Sequence, residues 1–180
     1  MNNQLNAKII AMLAVMIAVV AVVTLAVRVP IPGTPSGYVN LSDAAIYFAA
    51  FAFGPWAGLV AGGVGAAIAD AIGFPQFIFL TFFAHGLQGL VAGYLGGRTN
   101  LFWRMLLGWA VGAVVMVAIY YLGEVAGIAG YTPPQAAIEV PSNIVQTIAG
   151  GLLGIPLVYA VRKAYPPINQ IGFGSTCKEA

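Results

Sequence analysis

Long hydrophobic segments fill most of this chain and are interrupted by few polar residues. Residues 9–27 contain one polar side chain, that of Thr24, and residues 105–122 and 140–161 contain no charged side chain. At about 1.5 Å of rise per residue, each segment is long enough to cross a hydrocarbon layer of about 30 Å as an α-helix. The pattern therefore predicts an all-α integral membrane protein.

Two segments carry polar side chains at helical spacing. These polar stripes follow the spacing i, i+4, i+7 and consist of Thr81, His85 and Gln88 in one segment and Glu139, Asn143 and Gln146 in the other. Residues so spaced share one face of a helix. Because polar groups are costly in hydrocarbon, such a face is directed at a protein interior or a cavity. We interpret the two stripes as facing walls of a pocket for a small polar molecule.

The stripes contain hydrogen-bond donors and acceptors in about equal measure, which suits a planar heteroaromatic ligand with ring nitrogens, an amino group or a hydroxyl. The hydrophobic segment between the two striped segments contains aromatic residues that could stack on such a ligand, namely Trp109, Tyr120 and Tyr121. Tyr38 and Asn40 adjoin a loop at 28–38 that is rich in Pro and Gly and could cover the pocket. We therefore include Tyr38, Asn40 and Tyr121 among the predicted ligand contacts.

Two alternatives to a ligand pocket remain open. The polar groups could hydrogen-bond one another and so hold the helices together, or His85 and Glu139 could relay protons. Asn40 and Asp43 resemble the cap and first-turn acid of a helix N-terminus, and we favour this over a ligand role for Asp43. Asp70 and Glu124 are expected at solvated helix ends.

The number of helices depends on residues 44–69, which are uncharged and long enough for one helix or two. Pro55 follows Gly54 in the middle, and a proline there removes a backbone donor and clashes with the preceding turn. The sequence therefore predicts six transmembrane helices. The approximate spans are 5–27, 39–53, 56–72, 75–97, 103–122 and 139–162, followed by a polar cytoplasmic tail at 163–180.

Charge placement gives the orientation. With the N-terminus inside, six of the seven Lys and Arg residues are cytoplasmic and Arg28 is external, as the positive-inside rule prefers. A five-span chain with its N-terminus outside satisfies the rule equally well, so the break at Pro55 decides between the two. We predict a multi-pass protein in contact with membrane lipid, with both termini in the cytoplasm.

Composition excludes several function classes. The cations lie at span ends rather than in a patch, which argues against nucleic acid as a partner. Cys177 is the single cysteine of the chain, and neither a metal-ligand cluster, a phosphate-binding loop nor a nucleophile motif is present in the sequence. We therefore predict no enzymatic activity, no cofactor and no metal site.

Small residues recur every fourth position in several helices, a spacing that lets helices approach closely. The glycines at this spacing are Gly58 and Gly62, Gly89, Gly93 and Gly97, and Gly150 and Gly154. The first helix instead carries alanines, at Ala7, Ala11, Ala14 and Ala18. Most of these positions are expected to serve packing within the protein.

Three segments resemble the vitamin-binding S components of energy-coupling factor (ECF) transporters. They read GYVNLSDAAIYFAAFAFGPWAGLVAGGVGAAIAD, FFAHGLQGLVAGYLGG and EVPSNIVQTIAGGLLGIPL. The resemblance covers nearly the whole chain and points to the branch with riboflavin-type and hydroxymethylpyrimidine- or pyridoxine-type members. It implies an S-component-like bundle of six helices, a substrate site near the outer face, and a lid formed by the loop between helices 1 and 2.

The resemblance also implies partners and a location. A vitamin-like small molecule would be the substrate, and a transmembrane coupling subunit with two cytosolic ATPases would drive its import across a prokaryotic plasma membrane. The alanines Ala7, Ala11, Ala14 and Ala18 match the positions that contact the coupling subunit. His85 suits a neutral or weakly basic ring better than an anionic ligand. The alternative function is a self-sufficient secondary transporter that acts as an oligomer.

Overall fold

The computed structural model describes residues 7–173, and within them the chain is mostly helical. In this range, six α-helices follow one another: α1 (Ala7–Ala26), α2 (Ser42–Phe53), α3 (Pro55–Gly73), α4 (Ile78–Gly96), α5 (Phe102–Val125) and α6 (Pro133–Ala164). A short antiparallel hairpin between α1 and α2 pairs β1 (Val29–Pro30) with β2 (Tyr38–Val39). The predicted tail is described only as far as residue 173, so Cys177 and Lys178 lie outside the described residues.

The helical backbone is interrupted between α2 and α3 at Gly54, where the sequence predicts the end of one helix and the start of the next. Gly54 has φ +99°, a backbone conformation that glycine adopts without steric cost. Pro55 then occupies the first turn of α3, where its missing N–H leaves no intrahelical bond unmade. With 12 residues, α2 is about 18 Å long, and ten of its residues are buried among the neighbouring helices. Neighbours thus shield the short helix.

Glycines hold α3 and α4 in backbone contact. A Cβ added at Gly58 would overlap the carbonyl of Gly89, and one added at Gly89 would overlap that of Gly58. One turn further, a Cβ at Gly62 would lie 2.5 Å from the carbonyl oxygen of His85. The small residues therefore form a packing seam within the protein, and this seam fixes the backbone that carries His85.

The first helix packs on one side only. Its buried residues are Met16, Val20, Ala21 and Thr24, and α1 shares a core with α2 and α3. The four alanines at positions 7, 11, 14 and 18 are exposed on the surface of the bundle. They therefore do not serve packing within the described residues, unlike the glycines of α3 and α4.

The last two helices are longer than their predicted spans of 103–122 and 139–162. Thr132 and Gln135 form a capping box, in which the Gln135 side chain accepts from the Thr132 backbone N–H at 3.0 Å, so α6 begins at Pro133. As a result, the connection after α5 is short, and much of the segment between these two predicted spans is helical. Of the described helices, all except α2 are long and apolar enough to cross a membrane.

Candidate functional site

A polar cavity lies between the β1–β2 hairpin and helices α3 to α6. Its volume is about 30 Å³, which is room for one or two water molecules. Seven of the nine residues that the sequence assigns to ligand contact line it, namely Tyr38, Asn40, Thr81, His85, Glu139, Asn143 and Gln146. Two residues of the first stripe and all three of the second thus face the same cavity, and the hairpin covers it.

Asp70 organises one wall of the cavity. Its carboxylate accepts hydrogen bonds from the Tyr38 hydroxyl and from the Thr81 hydroxyl, the latter at 2.6 Å. The Tyr120 hydroxyl lies 2.8 Å from Thr81 Oγ1. Burial, and after it the nearby Asp70 carboxylate, raises the pKa of Tyr38, so the phenol stays protonated and acts as the donor. This wall ties the hairpin to α3, α4 and α5.

Glu139 forms the opposite part of the rim. Its carboxylate accepts a hydrogen bond from the Tyr131 hydroxyl. Burial raises the pKa of Tyr131, and the hydrogen bond to Glu139 raises it further, so this phenol is also a donor. Gly37 of the hairpin packs directly against the carboxylate, where a Cβ would overlap the Glu139 side chain. Glu139 is therefore a contact between α6 and the segment that covers the cavity.

Asp43 lies beneath the cavity and joins the two stripes. Gln88 Nε2 donates to Asp43 Oδ2 at 2.9 Å, and Gln146 Nε2 donates to Asp43 Oδ1 at 3.2 Å. His85 Nδ1 lies 3.4 Å from Asp43 Oδ1 and 2.8 Å from Gln88 Oε1. The Asn40 backbone N–H completes the group by donating to Gln146 Oε1 at 2.8 Å. A carboxylate with no exposed surface thus connects α2, α4 and α6.

Some polar groups at the cavity remain available to a ligand. Within residues 7–173, neither the side-chain amide of Asn143 nor Nε2 of His85 has a hydrogen-bond partner, yet both residues line the cavity. Both groups open onto the cavity rather than onto packed protein. If the stripes served only to hold helices together, these groups would be expected to pair with the protein. Their availability favours a ligand.

Two predicted ligand contacts lie elsewhere. The side chain of Tyr121 is 38% exposed and lines an outer groove between α5 and α6, because adjacent residues on a helix point about 100° apart. Its neighbour Tyr120 is the aromatic residue at the cavity, with its ring edge-on to His85 at 5.7 Å. Gln88 is fully buried beneath the cavity and contacts Asp43, Tyr47 and His85 rather than the cavity itself.

The expectation of solvated acids is wrong. Asp70 is 2% exposed and Glu124 has no exposed surface; Glu124 lies beside Glu139. Asp43 does lie in the first turn of α2, but the N-cap position is Leu41 rather than Asn40. Asn40 lies one residue earlier, and its Oδ1 accepts from the N–H of Ser42, the first residue of the helix, at 2.7 Å. The hydrogen bonds that Asp43 accepts from Gln88 and Gln146 give it a second role, as a link between α2, α4 and α6. Rules for helix ends do not reveal this role. The sequence does offer one signal for these buried acids, which is that acidic residues are rare in it. Four of its five Asp and Glu residues are buried near the cavity.

Comparison with known proteins identifies the family of this chain. The model of the ECF-type riboflavin transporter S component matches residues 4–163. The thiamine precursor transporter HmpT of Lactococcus lactis subsp. cremoris is 34% identical over 155 residues, which is 85% of this chain and 86% of that protein. An uncharacterized protein of Pyrococcus woesei is 40% identical over 151 residues, covering 84% of this chain and 99% of that one.

Solved structures share the fold at lower identity. The S component of a bacterial ECF transporter superposes with a TM-score of 0.71 at 21% identity, covering 89% of this chain and 98% of its own. FolT bound with folic acid gives a TM-score of 0.57 at 22% identity, with 89% and 95% covered. These likenesses concern the fold, while the family model spans nearly all of the sequence. This chain belongs to the S components of ECF-type transporters, in the family of the riboflavin transporter S component.

Proposed function

We propose that this protein is the substrate-binding subunit of an ECF importer and captures a vitamin or vitamin precursor in the cavity under the β1–β2 hairpin. The observation that carries the proposal is the convergence of Thr81, His85, Asn143 and Gln146 on one covered cavity. Family membership supports the class of function. Since S components are transport subunits, we assign no catalytic reaction to the chain.

The relative at 34% identity supports a thiamine precursor, such as a hydroxymethylpyrimidine, or a similar pyridoxine-like ring as the substrate. The cavity in this structure is too small for such a ring, since about 30 Å³ holds one or two waters. Capture therefore requires the covering segment to move. Tyr38 and Gly37 of that segment contact the carboxylates of Asp70 and Glu139, so these contacts are the ones that open.

For the topology, we propose six spans with both termini in the cytoplasm of a prokaryote. Arg28 adjoins the hairpin and donates to the Ala69 carbonyl at 2.8 Å. Arg98 and Arg162 lie together near the described end of the chain, where they donate to backbone carbonyls of residues 169 and 99. These cations lie at the end of the helix bundle opposite the hairpin, which supports a cytoplasmic location for that end of the bundle. The cavity, at the hairpin end, would then lie near the outer face.

A direct test separates capture from transport. The purified protein in lipid nanodiscs should bind hydroxymethylpyrimidine, thiamine, pyridoxine or riboflavin at nanomolar Kd without ATP, which corresponds to about −12 kcal/mol. Uptake into cells should require the coupling subunit and both ATPases. Concentrative uptake in a host that lacks every coupling subunit would instead support the secondary transporter. A protein that binds none of these four compounds would contradict the proposed function.

Truncating the available polar groups should weaken capture. We expect His85→Ala and Asn143→Ala each to reduce affinity by about 1–3 kcal/mol, because each leaves a buried ligand group without its partner. Calorimetry on the folded variants measures the effect. Tyr121→Ala is the matched control and should bind normally, since Tyr121 lies on the outer groove. Normal binding by both variants together with a lower melting temperature would identify the stripes as contacts between helices.

A further inference from the structure

The two nitrogens of the His85 ring have different surroundings. Nδ1 lies 2.8 Å from Gln88 Oε1 and 3.4 Å from Asp43 Oδ1. Nε2 has no hydrogen-bond partner in the described part of the chain, and the residue lines the cavity. Which nitrogen of a histidine carries the proton is set by the bond that the other nitrogen makes. The orientation of the Gln88 amide therefore decides the chemistry that His85 offers to a ligand.

Neighbouring groups fix that orientation. Gln88 Nε2 lies 3.0 Å from the Tyr47 hydroxyl, which in turn donates to the Trp109 carbonyl at 3.3 Å. A carbonyl can only accept, so the Tyr47 hydroxyl uses its proton there and must accept from Gln88. The nitrogen of the Gln88 amide thus faces Tyr47 and Asp43, and its oxygen faces His85.

The other end of the network is fixed in the same way. The Asn40 backbone N–H can only donate, so the group it contacts in Gln146 is the amide oxygen. Gln146 Nε2 then donates to Asp43, whose two oxygens accept from Gln146 and Gln88. The Asn40 N–H can only donate and the Trp109 carbonyl can only accept, and these two groups fix the donor and the acceptor of each hydrogen bond in the network. Gln88 Oε1 is left as an acceptor, and His85 Nδ1 must donate to it.

We propose that Gln88 and Asp43 hold neutral His85 as the tautomer protonated at Nδ1, so that Nε2 accepts a hydrogen bond from the substrate. Gln88 and Asp43 are positioning residues, because they act on the ligand through His85. This tautomer matters only if the cavity captures a ligand, so the inference rests on the proposed function and narrows its substrate class. The ligand must bring an N–H or O–H donor to Nε2.

Apart from the Asn143 amide, which can both donate and accept, the other polar atoms at the cavity are mainly acceptors. Asp70 and Glu139 are carboxylates whose protein partners, Tyr38, Thr81 and Tyr131, are all hydroxyl donors. The Thr81 hydroxyl uses its proton on Asp70, so it accepts from Tyr120. The polar atoms left to a ligand are thus mostly lone pairs beside two carboxylates. Such a cavity selects a neutral or cationic ring with amino or hydroxyl groups and rejects phosphorylated or carboxylated ligands.

The tautomer can be read directly, because the chain contains a single histidine. Long-range proton–nitrogen correlation NMR on ¹⁵N-histidine-labelled protein in nanodiscs at pH 8 should show a protonated Nδ1 and a bare Nε2. Gln88→Met removes the acceptor and should produce a mixture of tautomers, whereas Gln170→Met changes an exposed glutamine and should leave the spectrum unchanged. A proton on Nε2 in the unaltered protein, in either the neutral or the charged ring, would overturn the proposal.

Ligand selectivity provides the second measurement. 4-Amino-5-hydroxymethyl-2-methylpyrimidine should bind at least 10-fold more tightly than its analogue without the amino group and at least 100-fold more tightly than its phosphate ester. Gln88→Met should weaken binding of the amine about 10-fold, although Gln88 does not line the cavity. Equal affinity for the phosphate ester would overturn the selectivity while leaving vitamin capture intact. Absence of binding by this pyrimidine, thiamine, pyridoxine and riboflavin would overturn both.

Discussion

Replacing Gly58 with leucine is expected to prevent accumulation of folded protein. A Cβ at this position would already overlap the carbonyl of Gly89, and both elements in contact are helix backbone. Overpacking of a core costs about 1–3 kcal/mol when side chains can shift, and more when they cannot. Backbone of α4 cannot move at this point without displacing His85, whose carbonyl packs on Gly62 one turn away. We therefore expect a loss of about 3 kcal/mol or more in the free energy of unfolding.

A glycine on the same seam provides the control. A Cβ added at Gly86 would meet its nearest atom, the Cα of Gly63, at 3.4 Å, which is ordinary contact. Gly86→Ala should therefore fold normally, while Gly58→Leu should be lost from the monodisperse peak in size-exclusion chromatography. A Gly58→Leu variant with the melting temperature of the unaltered protein would show that the α3–α4 contact tolerates a large side chain.

Substitution of the exposed alanines of α1 should leave the fold intact and affect transport instead. We expect Ala14→Trp and Ala18→Trp to bind substrate with unchanged affinity and to lose nearly all uptake by the assembled transporter. Both alanines are exposed, and the residues that pack α1 onto the bundle, such as Met16 and Val20, point elsewhere. Close approach of a partner helix depends on small side chains, so a tryptophan would keep the proposed coupling subunit away.

Val19→Trp is the matched control for this surface. Val19 is 39% exposed and lies about 100° around the helix from Ala18, so a tryptophan there faces away from the alanine side. Calorimetry on the isolated subunit and uptake by cells that express the whole transporter are measured in parallel for all three variants. Loss of binding in step with uptake would place the alanines in internal packing. Normal uptake by both alanine variants would exclude α1 as the docking helix.

Local patterns in the sequence predict the helices and the composition of the cavity. The stripes on α4 and α6 depend only on helical period, so Thr81, His85, Asn143 and Gln146 can be identified without knowledge of the fold. The break at Gly54 follows from the backbone chemistry of glycine and proline at that point. Glycine spacing predicts close helix approach, although it does not show that Gly58 contacts Gly89.

Helix ends are harder to predict, because local signals compete there. The capping box at Thr132 begins α6 ahead of Glu139, whereas charge alone places the start of this span at Glu139. A charge near a helix end ordinarily indicates solvent. In this protein, Glu124 and Glu139 lie buried side by side, which a rule based on charge alone does not anticipate.

Tertiary structure alone decides which acids and aromatic residues reach the cavity. Asp43 contacts Gln88 and Gln146, which lie 45 and 103 residues away, and no periodicity within one helix encodes such a pairing. The choice of Tyr120 over Tyr121 depends on the rotation of α5 about its axis, which is set by packing against α4 and α6. Burial of the Asp43 carboxylate is compensated by donors from α4 and α6 that converge on it, and that convergence exists only in the assembled bundle.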